Sequence, residues 1–486
     1  MRKPGPVSIV RTAASLVVWL ALVSAGIAEA PKGEGREAPP PGAPSAAGEG
    51  EGKAPTALEQ VDGWFDKAKS PAPWLKMGAD LRFRNDYSNT LRLNKEFPNH
   101  ESNAEKYRPR WWATLSPVKD LDLNLRIMWE GKHFSGPDAQ PDFDPGEVLV
   151  DNLNAKFSNV GGLPLVMTLG RQDIRLGDGW LVGDGTPLDK ARTAFFDAAR
   201  FTYEIKGIKT TADFIYIDQT YSGDRWINAL RDQHLPLIEQ DERGLIFWLS
   251  NRSLKDTEIN GYYVYKDNER VLANGDDGFV HAFGGRVAGL VAEHWKYRAE
   301  GAHEFGERNH RNLRAFGFTG NLSYLLKDAL ANEVRMGYEF LSGDDPKTRT
   351  NEAFDPLWGR WLQWSELMGE AWKLETRVRD ITNVHRFGPG WSCKPSEKLR
   401  LSADYYLLFA DESTLVFSKD NKKHVIRDFS SEGRFRGEYL GLKAAYTFSK
   451  HLKGLVWTEF FFPGNYYSDF RNDVVTFLRG ELYFTW

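Results

Sequence analysis

The C-terminal segment alternates between apolar or small residues and polar ones as far as its last residue. Arg479, Glu481 and Thr485 separate the apolar or small positions Leu478, Gly480, Leu482, Phe484 and Trp486. A period of two places one set of side chains on each face of a β-strand. An apolar face that reaches the final residue needs an apolar medium there, which either the core of a soluble sheet or membrane lipid supplies.

The same alternation recurs along most of the 486-residue chain, from about residue 75 onward. Hydrophobic residues make up 41% and the mean hydropathy is −0.50. A membrane barrel has such a composition because only alternate residues of each strand face lipid. Aromatic residues reach 13%, which is typical of aromatic girdles at two membrane interfaces and also of a carbohydrate-binding surface.

The alternating segments predict about eighteen strands, an even number, as single-chain bacterial barrels have. The predicted strands are approximately 75–88, 106–117, 120–131, 148–160, 163–176, 193–206, 208–218, 241–251, 256–267, 278–289, 291–305, 312–326, 330–342, 375–390, 396–411, 433–448, 451–462 and 473–486.

The lengths of the connections decide between lipid and a soluble core. The joins after even-numbered strands are tight, as at 117–119 and 161–162, whereas the long joins follow odd-numbered strands, as at 219–240 and 343–374. Short turns on one rim and long loops on the other are the arrangement of outer-membrane barrels. The sequence therefore predicts an all-β fold, a transmembrane antiparallel up-and-down β-barrel over residues 74–486.

The N-terminus has the three parts of a secretory signal peptide. Arg2, Lys3 and Arg11 give a positive start, an apolar run covers 13–25, and Ala28 offers a small residue for cleavage. We expect a signal peptide over 1–28. Residues 29–73 are rich in Pro, Gly, Ala and Glu and predict a flexible periplasmic linker, in which the apolar spacing of 56–69 indicates a short helix.

Charge and motifs exclude several classes of function. The net charge is −4, so no basic excess points to nucleic acid, and the single cysteine, Cys393, cannot form an intrachain disulfide. His303-Glu304 lacks the second histidine of a His-Glu-x-x-His metal helix, and no Gly-x-Ser-x-Gly elbow is present. We expect no enzyme activity. The alternatives are an outer-membrane barrel enzyme and a secreted or surface all-β polysaccharide-binding protein.

One stretch is more specific than a generic barrel. Residues 169–180 read LGRQDIRLGDGW and lead into FFDAARF at 195–201, while Arg108-Pro109 stands before Trp111-Trp112. These motifs resemble the Gly-Arg-Gln strand with its following hairpin and the Arg-Pro-Trp of the alginate-export family of outer-membrane porins. The resemblance implies an eighteen-stranded, monomeric barrel whose basic lumen passes an anionic polysaccharide, with outer-membrane lipid and periplasmic export proteins as partners.

Two places depart from the family's pattern. Asp173 stands where the alginate porin has a further Arg, and Leu455 and Trp457 fall near the family's Arg-x-Arg on the penultimate strand. Both departures remove positive charge from the pore lining.

If the polar face of each strand points inward, the lumen is rich in arginine, whose planar fork grips carboxylates and whose charge never titrates. Carboxylates are interspersed, so opposite charges on neighbouring strands can also pair across the wall. On the family match the first candidates for solute contact are Arg108, Arg171, Arg175 and Arg200. The further pore-lining candidates are Arg82, Arg84, Arg126, Arg335, Arg377 and Arg400.

Two long loops carry residues of interest. The loop 343–374 holds Trp358, Trp361, Trp364 and Trp372, which either stack on sugar rings or, slightly favoured, pack the loop on the rim and reach lipid head groups. Asp138, Asp142 and Asp144 in the loop 132–147 are oxygen ligands of the kind that calcium takes. Because acidic, Pro-rich loops are usually only solvated, we expect no cofactor. The sequence thus predicts an outer-membrane channel for export or diffusion of an anionic, alginate-like polysaccharide or a related solute.

Overall fold

A computed structural model describes residues 63, 65–97, 100–136, 143–183, 195–223, 225–360, 362–378, 380–413, 429–430 and 433–486. The predicted signal peptide 1–28 and the predicted linker as far as residue 62 lie outside the described residues, as do Asp138, Asp142 and Trp361. Residues 65–69, within the segment with helical spacing, are helical. In the described part of the chain, no helix is long and apolar enough to cross a membrane.

The described residues form eighteen wall strands, each antiparallel to its neighbours. In chain order, β1 to β18 are Leu75–Asn89, Ser102–Val118, Leu121–Trp129, Val148–Phe157, Leu165–Gln172, Phe196–Ile205, Thr210–Gln219, Gln240–Asn251, Thr257–Arg270, Gly278–Val291, Trp295–Arg308, Arg311–Leu325, Glu333–Leu341, Val384–Cys393, Leu399–Phe409, Phe435–Thr447, Leu452–Pro463 and Val475–Thr485.

Smaller elements complete the chain trace. Gly131–Gly136 continues β3 along β2, and the two-residue strand Phe143–Asp144 pairs with that continuation. An α-helix of nine residues, α1, spans Met368–Thr376 in the connection between β13 and β14. Single 3-10 turns lie at Leu91–Leu93, Val160–Gly162, Lys206–Ile208 and Asp469–Arg471.

The first and last strands close the sheet, as the even strand number predicts. In the register of β1 with β18, Leu81 lies opposite Phe484 and Arg84 opposite Glu481. The backbone N–H of Trp486 donates to the carbonyl of Ala79 at 2.8 Å. Closure pairs both terminal strands and so removes the open edges that an unpaired sheet would present.

The two faces of each wall strand differ as the alternation predicts. In β1, Leu81 is 46% exposed, whereas its neighbour Arg82 is 3% exposed. Apolar side chains on the outer face, such as Phe283 and Met336, are likewise exposed. In a membrane barrel these outer side chains contact lipid and the polar set faces the lumen. The predicted fold class is confirmed.

The rhythm of the connections also holds, except after β9 and β11, whose connections have seven and two residues. All connections after even-numbered strands have seven or fewer residues, whereas those after β5, β7, β13 and β15 are long. The connection between β11 and β12 is only Asn309-His310, although it lies on the rim of the long loops. Both residues have positive φ, 53° and 64°, as a two-residue type I′ hairpin turn requires.

The largest difference from the predicted strand bounds is at the fourteenth strand, and the fifth strand, predicted to reach 176, ends at Gln172. The fourteenth strand was expected at 375–390, but β14 begins at Val384. The residues before it complete α1, whose C-cap Arg377 has φ 64° and donates its backbone N–H to the carbonyl of Lys373. Arg377 therefore lies beyond a helix end and not on a wall strand.

Part of the barrel interior is an apolar core. The described residues of 173–183 after β5 and of 342–383 between β13 and β14 fold inward, and their apolar side chains pack against the inner wall. Ile246 of β8 and Val264 of β9, both on the inner face, are fully buried there with Trp358 and Trp372 of the longer loop. Around these strands the inner face is apolar because loop residues, and not water, cover it.

Candidate functional site

The inner wall brings most of the predicted arginines to the lumen side. Arg82 and Arg84 of β1, Arg108 of β2, Arg126 of β3 and Arg200 of β6 share the face of the buried polar residues. Arg335 of β13 lies on the same face farther round the barrel. Arg82 and Arg108 lie directly opposite each other in the β1–β2 register.

Carboxylates accompany these inward arginines. Arg84 pairs with Glu481 across the seam at 3.0 Å, Arg200 with Asp213 at 2.8 Å, and Arg335 with Asp404 at 2.5 Å. A further inward arginine, Arg110, binds the carboxylate of Asp80, with Arg110 Nε 3.0 Å from Asp80 Oδ2. Such charge-assisted bonds compensate the positive charge that arginine alone would bring to the lumen.

All three guanidinium nitrogens of Arg126 donate to carboxylate oxygens. Its Nη1 and Nη2 donate to the two carboxylate oxygens of Asp173 at 2.7 and 2.8 Å, and its Nε donates to Asp151 at 2.8 Å. Asp173 is the residue at which the sequence departs from the motif that it resembles, and it forms an ion pair with Arg126. Burial raises the pKa of Asp173 above its ordinary value, and the guanidinium of Arg126 only partly offsets that rise.

Arg171 does not face the lumen. In the β4–β5 register it lies opposite Leu153, and both share the outer face with the exposed Leu169. The guanidinium is nonetheless only 3% exposed, because it bonds Asp197 and the carbonyl of Gly223 and lies 3.8 Å from the ring centroid of Phe195. Arg171 therefore fastens the β7–β8 connection to the rim.

The other three predicted arginines are exposed, and only one of them lies on a wall strand. Arg175 follows β5 and donates to the carbonyl of Asp178 at 2.5 Å. Arg377 lies at the C-cap of α1. Arg400 of β15 donates to the hydroxyl of Ser392 at 3.3 Å. Their contact with solute stays a prediction.

A buried ionic cluster, the Glu242 latch, fixes the long loop to the wall. It comprises Glu242 of β8, Lys266 of β9 and the loop residues Trp358 and Arg360. Glu242 is fully buried and accepts hydrogen bonds from Trp358 Nε1 at 2.8 Å and from the guanidinium of Arg360. Lys266 lies 3.2 Å from the same carboxylate and donates to the carbonyl of Leu357 at 3.0 Å. Burial acts to lower the pKa of Arg360, but Glu242 raises it overall, so Arg360 stays charged.

A second anchor holds the start of α1. The buried carboxylate of Glu459 on β17 accepts bonds from Ser365 Oγ at 2.6 Å and from the backbone N–H groups of Glu366 and Leu367, both at 3.0 Å. A carboxylate suits the N-terminus of a helix because the first N–H groups have no partner within the helix.

The two inward segments also bind each other. The backbone N–H of Trp358 donates to the carbonyl of Leu181 at 2.9 Å, and Trp180 stacks on Phe354 with 5.5 Å between ring centroids. Arg286 and Arg298 bind Asp178 of the shorter segment. Burial acts to raise the pKa of Asp178, but these two guanidinium groups lower it overall.

The slightly favoured placement of the long loop's tryptophans on the rim is wrong for the three that the structure describes, while Trp361 lies outside the described residues. Trp358 and Trp372 are buried inside the barrel, and Trp364 is half-buried against Tyr406 and Tyr439 of the inner wall. These rings pack the loop against the lumen wall, and neither lipid nor rim contacts account for them.

Two of the cavities among the described residues lie along the inner wall. The smaller, about 250 Å³, lies between the inward segments and β11–β16 and includes Asp178, Arg298 and Arg335 in its lining. The larger, about 650 Å³, lies along β1–β6 and β18 and includes Arg126, Arg200 and Trp112. We call the larger one the Trp112 cavity.

The sequence analysis missed the residues that anchor the loop. Glu242 and Glu459 sit at inward positions of alternating strands, so their orientation was readable. Their partners in the long loop lie more than ninety residues away along the chain, and no local sequence pattern predicts such contacts. Within the described ranges no group of three His, Cys, Asp or Glu side chains is placed to hold a metal ion, and the expectation of no cofactor stays a prediction.

Comparison with known proteins identifies a family that the sequence matches. A family model described as "Alginate export" matches residues 73–478. No curated protein matches the chain.

Several solved structures from Pseudomonas aeruginosa are similar in fold. OccK7 (OpdD) aligns with a TM-score of 0.52 at 11% identity, over 85% of this chain and 99% of that one. OpdO aligns with a TM-score of 0.51 at 15% identity, over 84% and 97%. OccD3 (OpdP) aligns with 0.51 at 9% identity, over 84% and 91%. At such identities the likeness shows the barrel fold alone.

Proposed function

The chain belongs to the alginate-export family and is an outer-membrane channel, and we propose that it passes saccharides of low charge density, either a polysaccharide or its oligosaccharide fragments. The observation that carries the proposal is the pairing of inward arginines with carboxylates, above all Arg126 with Asp151 and Asp173. A lumen that must bind and release a solute needs weak, distributed contacts. Paired charges present such contacts to a hydroxyl-rich chain.

An alginate-like polyanion is the second candidate. The family match favours it, and so does the direct juxtaposition of Arg82 and Arg108 on β1 and β2, since two guanidinium groups side by side attract carboxylates. We further propose that the chain acts as a monomer without catalytic activity, consistent with the family and the fold.

Block of single-channel current distinguishes the two candidates. Purified protein in a planar bilayer is expected to conduct, and neutral hexaoses of glucose or mannose are expected to block at lower concentration than a mannuronate hexamer. Stronger block by the mannuronate hexamer, persisting in high salt, would instead support the alginate-like candidate. High salt serves as the control because it screens exposed charges.

The N-terminal segment leads to a separate expectation. If residues 1–28 are a signal peptide, N-terminal sequencing of protein extracted from outer membranes will begin at Glu29. An intact Met1 in heat-modifiable, membrane-extracted protein would refute the cleavage site.

A further inference from the structure

The Trp112 cavity has the size of a ligand site. Its volume of about 650 Å³ falls within the roughly 300–1,000 Å³ that is usual for ligand cavities. It lies on the inner faces of β1–β6 and β18, and Tyr483 of the closing strand lines it. A solute that crosses the barrel along this wall meets the cavity.

Trp112 forms a flat platform in this cavity. A Cβ atom on Gly78, its partner in the β1–β2 register, would meet three adjacent atoms of the indole at 2.6, 2.8 and 3.0 Å. Distances so similar mean that the ring lies over the Gly78 backbone, which only glycine permits. One ring face therefore rests on the wall, and the ring lines the cavity with the other. A flat aromatic face of this kind suits stacking against the C–H face of a sugar ring.

Beside this platform runs a ladder of neutral polar groups. Thr114 Oγ1 donates to Asn124 Oδ1 at 2.8 Å, Asn124 Nδ2 donates to Asn154 Oδ1 at 2.9 Å, and Asn154 Nδ2 donates to Asn152 Oδ1 at 2.8 Å. The ladder crosses β2, β3 and β4. Asn154 is buried and donates its second N–H to the carbonyl of Arg171 at 3.0 Å. Each amide has two N–H donors and two acceptor lone pairs, so Asn124 and Asn152 can bind hydroxyl groups that both donate and accept.

Apart from Lys156, the charged side chains of the cavity each bond a group of opposite charge. Asp80 accepts from Arg110 and from Tyr483 Oη at 3.1 Å, and Arg126 and Arg200 hold the carboxylates described above. Lys156 lies opposite Asp122 in the β3–β4 register. A ligand for this lining is uncharged and rich in hydroxyl groups.

We propose that the Trp112 cavity is a binding subsite for a neutral pyranose ring. Trp112 stacks on the C–H face of the ring, and the amides of Asn124 and Asn152 bond its hydroxyl groups. This inference rests on the proposed passage of saccharides, and it identifies the part of the barrel wall that binds the sugar ring.

The test uses the full mature chain in detergent and in bilayers. Calorimetric titration with glucose and mannose hexaoses is expected to detect binding, and Trp112→Ala is expected to weaken it about tenfold, as loss of an aromatic contact of ~1.4 kcal/mol implies. Trp112→Phe keeps a ring and is expected to retain most of the affinity. Asn124→Ala should weaken binding without changing heat-modifiable migration.

Trp111→Ala is the matched control. Trp111 is the neighbouring residue of β2 on the outer, exposed face, so its loss should leave hexaose affinity unchanged. Equal affinity of wild type and Trp112→Ala, or no binding of either neutral hexaose to wild type, would overturn the subsite even if the channel conducts. Binding that depends on Trp112 in a protein without conductance would uphold the subsite and refute passage through the barrel.

Discussion

Excision of the inward part of the β13–β14 loop is expected to raise single-channel conductance several-fold. The variant replaces residues 344–381 by a short Gly-Ser turn. These residues carry α1 and the buried side chains of Trp358 and Trp372, which occupy space inside the barrel. Pore conductance rises with the open cross-section, so emptying this space widens the path for ions. The measurement is single-channel recording in planar bilayers.

The geometry of the wall allows this excision. Leu341 and Val384, the last and first residues of β13 and β14, are direct partners in the register. A hairpin turn of a few residues can therefore join them, as in the native Asn309-His310 turn. The excision leaves Glu242 with Lys266 as an ion-pair partner. It removes Glu375 from the buried Arg436 and the donors of 365–367 from Glu459, so some loss of stability is expected.

Removal of the exposed tip 346–349 is the control, since these residues are exposed and lie outside the apolar core. If the tip deletion and the full excision conduct alike, the loop does not restrict the channel. Should the excised protein fail to fold, Glu459→Gln loosens the start of α1 with little change of volume. This variant is expected to give more frequent openings, and wild-type gating in it would equally contradict the loop's role.

Wall strands were readable from the sequence because each depends on local alternation. The predicted 75–88 and 451–462 match β1 and β17 within one residue. Where the alternation meets inward-folded chain it misleads, because apolar residues such as Ile246 and Val264 face loop atoms on the lumen side. Inward-folded chain also explains why β14 begins later than predicted. Residues that pack inside a barrel need not follow either the strand or the lipid pattern.

The candidate site was predictable only in part. That Arg82, Arg108 and Arg126 face inward follows from strand parity. The carboxylate partners of the inward arginines come from residues distant along the chain, as Glu481 does for Arg84. Arg171 shows the limit of a motif, because its place in the register puts it on the outer face, and only the fold of the β7–β8 connection explains its burial.

Replacing Asp173 is expected to make the channel anion-selective. Asp173→Asn removes the bidentate partner of Arg126, and Asp173→Arg places a second guanidinium beside it. Uncompensated positive charge in a pore attracts anions and repels cations. The anion-to-cation permeability ratio, taken from the reversal potential in a salt gradient, should rise at least about twofold in Asp173→Asn and further in Asp173→Arg.

Lowering the pH should also raise the anion-to-cation permeability ratio of the wild-type channel. Because burial raises the pKa of Asp173, lowering the pH protonates this carboxyl and frees charge on Arg126, with Asp151 and Arg110 as the other charged neighbours. Asp173→Asn should lack this part of the pH response. Asp120→Asn makes the same charge change in an exposed turn with positive φ, 65°, which asparagine also adopts, and it should keep wild-type selectivity and pH response. An undiminished pH response in Asp173→Asn would assign the titration to another carboxylate. The Arg126–Asp173 pair would then not be the residue pair that keeps this wall electrically neutral.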